Sequence, residues 1–214
     1  MRLAADLRSR DAASANRGID ISQSIDPLIN RLPSMSFGDL AKVWRNALRL
    51  SEGKQRDTAQ KAIVAIEAEW ARRGAAGVSP DDYFKWPSTD APGGDGQLSL
   101  QSLMKEGMLK YLEYQVGRTN GQPTNIRRLI LRRVFEGSLP PVFPPPYMAE
   151  WGGPKSSARL HKLADTLAAL ARLFKRRHDG RFDDAISDWE ADLRFLYDEY
   201  YVGRLGFAWP ATAV

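Results

Sequence analysis

Arg127, Arg128, Arg132 and Arg133 in the run NIRRLILRRVFEG are the side chains best suited to chemistry. On a helix Arg128, Arg132 and Glu136 share one stripe, Arg127 and Arg133 flank it, and Ile126, Leu129, Ile130 and Val134 are expected to face inward. A guanidinium is permanently charged and its planar fork can hold two oxygens at once, so the chemistry implied is phosphate binding. A second basic group, Arg172, Lys175, Arg176 and Arg177, follows one helix later, with Lys155, Arg159 and Lys162 preceding it. Cations at a helix C-terminus also suit the helix dipole, which gives part of this second group a structural reason.

Asp184, Asp188 and Asp192 recur every four residues, with Glu199 near the same stripe. Three carboxylates can collect Mg²⁺ when they converge in a pocket, but a single helix face displays them in a row. A solvated acidic face, or a partner for the arginines, is the expectation, with no metal and no cofactor. His161 and Asp165 stand one turn apart without a serine or lysine nucleophile beside them, as in a surface pair. The chain has no cysteine and two histidines, His161 and His178, so thiolate chemistry is excluded and imidazole sites have little to draw on. P-loop, G-x-G-x-x-G, G-x-S-x-G and HExxH patterns are all missing. These observations point away from catalysis. An enzyme would have to act on nucleic acid through the Asp184, Asp188 and Asp192 row.

The elements that must position these groups read as helices. Ser36-Phe37-Gly38-Asp39 has the form of a capping box, and Leu40, Val43, Trp44, Ala47 and Leu48 then follow at helical spacing to about Leu50. A second helix spans Thr58 to Arg73, with Ala59, Ala62, Ile63, Ile66 and Trp70 inward and Gly74 as its stop. Residues 75–97 read as a linker around the aromatic island Tyr83-Phe84-Lys85-Trp86. A third helix is expected over Ser99 to Val116, and the Arg-rich fourth follows Thr124. After Gly137 the segment LPPVFPPPYMAEWGGP is expected to be an extended connector without regular helix. Leu160, Leu163, Leu167, Leu170 and Phe174 mark a fifth helix over Ser157 to Arg177. Ile186, Trp189, Leu193, Leu196 and Tyr200 mark a sixth over Asp183 to Tyr201.

The fold class predicted is all-α, with about six helices in antiparallel hairpins, an extended N-terminal arm and a Pro-rich connector. The organisation predicted is a flexible arm over 1–33, a helical hairpin with linker over 34–95 and a C-terminal helical domain over 96–214. An internal echo, Phe84-Lys85-Trp86-Pro87-Ser88-Thr89 and Phe207-Ala208-Trp209-Pro210-Ala211-Thr212, repeats F-x-W-P-x-T after each expected hairpin. Trp86, Pro87, Trp209 and Pro210 are therefore candidate protein-docking residues, or aromatic tails that cover their own helices.

Charge is unevenly laid out. Residues 100–181 hold 15 Lys and Arg against 6 Asp and Glu, whereas residues 182–214 hold 2 against 7. Such a split suits a polyanion partner, a self-complementary surface, or both. No apolar run is long enough to span a bilayer, and the start lacks the apolar stretch of a secretory signal, so a cytoplasmic location without membrane contact is expected.

The run GMLKYLEYQVGRTNGQPTNIRRLILRRVFEGSLPPVF, then EWGGPKSSARLHKLA, then DWEADLRFLYDEYY with its FAWP ending, resembles a family of uncharacterised bacterial all-α proteins. The resemblance covers roughly residues 100–210, and more loosely the NALRLS and AIEAEW stretches. It implies a bacterial origin and a recurrent helical module. The family has no assigned activity, so no site residue is carried over.

The function expected first is non-catalytic, largely sequence-independent nucleic-acid binding through Arg127, Arg128, Arg132 and Arg133, then Arg172, Lys175 and Arg176. The alternative is a protein-interaction or assembly module of a larger bacterial complex, or a homo-oligomer, using the Trp-Pro segments and opposite-charge surfaces. The two part at one point: whether Arg128 and Arg132 are neutralised by the acidic helix within the same molecule.

Overall fold

The computed structural model describes residues 25–84, 107–177 and 180–214. Among these, the regular structure is helical and contains no strand, in line with an all-α fold. The first 24 residues, most of the 75–97 linker with Trp86 and Pro87, the beginning of the helix expected from Ser99, and His178 lie outside the described residues.

The chain enters through α1 (Asp26–Arg31), in the last part of the stretch expected as a loose arm. It buries Leu28 and leads into a 3₁₀ turn that buries Leu32. Arg73 holds this segment down, donating from Nη2 to the carbonyls of Leu32 and Met35 at 2.8 Å each. Glu69 orients that guanidinium, accepting from Arg73 Nε at 2.6 Å. Hydrogen bonds from Arg72, and then from Arg73, hold the Glu69 carboxyl down at about 2.

Helix α2 (Phe37–Leu50) starts as its capping box dictates: Ser36 Oγ accepts from the Asp39 N–H at 3.1 Å and donates to the Asp39 carboxylate at 2.8 Å. Its apolar stripe packs on α3 (Arg56–Ala76), where Trp44 meets Trp70 at 5.7 Å between ring centroids. Helix α3 runs past Gly74, the expected stop, and ends at Gly77, whose φ of 83° only glycine adopts without strain. Residues 107–111 are helical and then break, with Glu113 at φ 60°, short of the Val116 terminus expected.

The Arg-rich helix is α4 (Thr124–Glu136). The Pro-rich segment after it was expected to exclude regular helix, yet it forms α5 (Pro145–Trp151). The prolines lie in the first turn, where the N–H has no intrahelical acceptor and a fixed φ already suits the helix. Tyr147 and Trp151 of α5 are buried, and Tyr147 Oη accepts the Met108 N–H at 2.9 Å. Helices α6 (Ser157–Lys175) and α7 (Asp183–Leu196) pack through the leucine-rich stripes read from the sequence. Phe174 lies 5.2 Å from Trp189. The last turn, Tyr197–Tyr201, widens into a π-helical turn, and the chain then runs without regular structure over 206–214. One hydrophobic cluster takes residues from every helix named.

Candidate functional site

The four arginines on α4 divide into two committed to carboxylates and two on the rim. Arg127 was expected to flank the outer stripe, but only 4% of its side chain is exposed. Its Nε donates to Asp192 Oδ2 at 2.7 Å, Nη2 reaches Asp188 Oδ1 at 2.9 Å, and Nη1 donates to the Gln122 carbonyl at 2.9 Å. Asp192, fully buried, also accepts the Tyr114 hydroxyl at 2.8 Å, while Asp188 accepts the Gly117 N–H at 2.9 Å. Burial raises the Asp192 pKa, and the bonds from Arg127 and Tyr114 oppose that rise. The Tyr114 phenol is pushed well above its ordinary value by burial, then by the Asp192 charge.

Arg133 is committed on the other flank. Its Nε donates to Glu67 Oε1 at 2.9 Å and its Nη2 bonds the second oxygen, while Trp44 Nε1 donates to Oε1 at 3.1 Å. Burial raises the Glu67 pKa and Arg133 opposes it. Gly137 belongs to the same arrangement, because a Cβ there would overlap the Glu67 carboxylate.

Arg128 and Arg132 remain on the rim, 42% and 44% exposed. Arg128 Nε lies 3.8 Å from Asp192 Oδ1, and Arg132 Nη2 lies 3.5 Å from Glu199. Both guanidiniums also lie over the Phe195 ring, at 5.0 and 5.3 Å. The inward stripe is therefore Arg127, Ile130, Leu131, Val134 and Phe135, with Ile126 and Leu129 only partly buried. The signal for this was present: Arg127 precedes Ile130, Leu131 and Val134 at helical spacing, and Asp188 and Asp192 supply its counter-charge.

The second basic group is occupied by the tail. Arg172 Nη1 donates to the Ala211 carbonyl, and Lys175 Nζ donates to the Thr212 carbonyl at 3.2 Å and to Glu190 at 2.5 Å. Thr212 Oγ1 donates to the same Glu190 oxygen at 2.5 Å. The Lys175 bond, then Thr212, hold the Glu190 pKa below its ordinary value. Trp209 packs at 5.3 Å from Tyr197 and 4.8 Å from Tyr201, and Tyr201 Oη donates to the Phe207 carbonyl. Phe207 lies 4.5 Å from His161, which pairs with Asp165 at 3.3 Å. Pro210 completes a half-buried strap whose underside borders a groove of about 340 Å³ along α7. Arg176 is exposed and has no partner among the described residues.

Sequence reasoning missed Arg159, which it grouped with the outer lysines. It is 4% exposed and ion-pairs with no carboxylate among the described residues. Its Nε donates to the Trp151 carbonyl at 2.8 Å, Nη1 to Val134 at 2.7 Å and Gly137 at 3.2 Å, and Nη2 to Gly152 at 2.6 Å. Burial alone lowers its pKa to about 10. Arg159 lies four residues before Leu163, on the leucine stripe, and that spacing was the available signal.

Asp184 is exposed, and no group of three or more His, Asp or Glu converges on a metal position among the described residues. No helix among them is long and apolar enough to cross a membrane. No protein-family model matches the chain, and no curated protein or solved structure matches it either.

Proposed function

We propose that the protein is a non-catalytic interaction module whose α6–α7 surface reads an extended F-x-W-P-x-T segment. The observation that carries this is the way the chain's own Phe207–Thr212 is held. Two cationic side chains bond its backbone carbonyls, an aromatic cluster grips Phe207 and Trp209, and Glu190 takes the threonine hydroxyl. Main-chain bonds with pockets for alternate side chains are the chemistry of peptide recognition. In this reading α2–α3 and α6–α7 act as antiparallel hairpins, and a second chain bearing the same motif is the partner, a further copy of this protein included. Membership of the bacterial family that the sequence resembles belongs to the same proposal and adds no activity to it.

The nucleic-acid reading has less support. Arg127 and Arg133 are engaged with Asp188, Asp192 and Glu67, and Arg172 and Lys175 with the tail, which removes four of the seven cations it relied on. What favours it still is that Arg176 is exposed and that Arg128 and Arg132, although they stand 3.8 and 3.5 Å from Asp192 and Glu199, keep 42% and 44% of their side chains in solvent.

The test titrates fluorescent peptides with the sequences of residues 205–214 and 82–91 into full-length protein and into its Phe207→Ala/Trp209→Ala variant. The variant should bind both peptides about 10–100-fold more tightly than the wild type, because a tethered tail competes at an effective concentration of order millimolar. A folded variant that binds neither peptide rejects the module. A duplex DNA titration run beside it gives steep salt dependence, shallower in Arg128→Ala/Arg132→Ala, only if the nucleic-acid reading is right.

A further inference from the structure

A second cavity, of about 350 Å³, opens between the end of α3 and the Pro-rich segment, away from the tail groove. Trp70, Tyr83, Pro141, Phe143 and Met148 give it apolar walls, and Arg159 contributes its one charged group. Two features set it apart from an ordinary packing gap. The Trp70 indole N–H is buried and finds no acceptor among the described residues, although buried polar groups are ordinarily paired. Arg159 commits four of its five N–H groups to carbonyls, which leaves one Nη2 hydrogen without a partner. Among the described residues no acidic side chain lines the cavity; its other side-chain polar groups are the Ser138 and Tyr83 hydroxyls. The polar complement is therefore donor-rich and cationic inside an apolar wall, and the volume falls in the range of small-molecule sites.

We propose that this cleft binds an apolar carboxylate of small-molecule size, its hydrocarbon or aryl body among the aromatic and proline side chains and its carboxylate toward Arg159 and the Trp70 N–H. The carboxylate supplies both the acceptor that Trp70 lacks and the counter-charge that Arg159 lacks. A ligand of equal shape without the charge leaves the buried cation uncompensated and binds more weakly. Burial lowers the Arg159 pKa, and no anion among the described residues opposes it, which agrees with a ligand of negative charge.

The probe is 4-phenylbutanoate, with its primary amide as the neutral control, titrated into uniformly ¹⁵N-labelled full-length protein. The chain has six tryptophans, so their indole N–H signals form a small set, and Trp70→Phe assigns the one that matters. The expected result is a saturable downfield shift of the Trp70 indole signal, with the amide binding at least about tenfold more weakly. Trp70→Phe should weaken the acid more than the amide. Val78→Trp, at the partly exposed lip, should abolish binding without touching Arg159 or the helices it caps. Equal binding of acid and amide, a shift confined to other tryptophans, or unchanged binding by folded Val78→Trp overturns the proposal. None of these outcomes bears on peptide binding at α6–α7, so the two sites stand or fall separately.

Discussion

Arg127 and Arg128 are neighbours in sequence and opposites in circumstance. Arg127 is buried against two aspartates, whereas Arg128 keeps 42% of its side chain in solvent and only skirts Asp192 at 3.8 Å. A buried pair gains its attraction only by giving up hydration, so removing one partner costs far more than the pair contributes net. Asp192→Ala should therefore lower unfolding stability by about 3 kcal/mol, with Asp188 limiting the loss by keeping Arg127 partly compensated. Replacing both partners, Arg127→Met with Asp192→Leu, should recover most of it, and urea midpoints of the wild type, Arg127→Met, Asp192→Leu and the double variant check the cycle. If the double variant is as unstable as the sum of the singles, the pair is not coupled as described. The sequence showed that arginines on one helix and aspartates on another could meet. It also carried a sign of which arginine turned inward, since Arg127 precedes Ile130, Leu131 and Val134 at helical spacing, but a stripe drawn through Ile126 and Leu129 leaves Arg127 on its border. Burial of Asp192 across the interface is what decided it.

Helix ends account for the elements that the sequence misjudged. Proline was read as a barrier to helix in the segment after Gly137, but its restriction falls on interior positions. Pro145 opens α5 at no hydrogen-bonding cost. The same segment could be legible only with Arg159 in place, and that residue lies on the next helix. Its guanidinium takes the Val134 and Gly137 carbonyls at the C-terminal end of α4 and the Trp151 and Gly152 carbonyls at that of α5. Four orphan carbonyls of two helix ends are thus met by one planar donor fork, which also complements both dipoles. Arg159→Lys should not substitute, since an ammonium offers three donors from one atom and cannot span that arc. Loss of about 3 kcal/mol is expected for Arg159→Lys and for Arg159→Met alike. For a chain of this size, that is a drop of about 6–12 °C in Tm by thermal circular dichroism. A lysine variant with wild-type Tm would show that charge alone, and not the fork, holds the two ends.

At the scale of the whole molecule, the question is whether the halves on either side of residue 95 behave as two domains. The charge and proline-glycine pattern of the linker suggested that they do. Contacts in the structure cross that line repeatedly: Glu67 to Arg133, Arg45 to Glu113 at 3.1 Å, and Arg45 to the Tyr111 carbonyl at 3.3 Å. Tyr111 Oη also donates to the Phe37 carbonyl at 3.1 Å. Trp44, Trp70, Met108, Leu131 and Trp151 all belong to one apolar cluster. Linker composition is a local property, whereas cooperativity depends on what packs across the boundary, which no local pattern encodes. Unfolding should accordingly be a single transition, with far-ultraviolet and near-ultraviolet dichroism coinciding and the calorimetric and van't Hoff enthalpies equal. Glu67→Ala sharpens the test. It strands the half-buried Arg133 and the Trp44 N–H on opposite sides of the boundary, so it should shift the one transition downward by about 3 kcal/mol without splitting it. Two resolved transitions in the wild type would mean that each half supports its own core and that the crossing ion pairs only dock one on the other. A split appearing in Glu67→Ala alone would identify this carboxylate as the residue on which the unity of the fold depends.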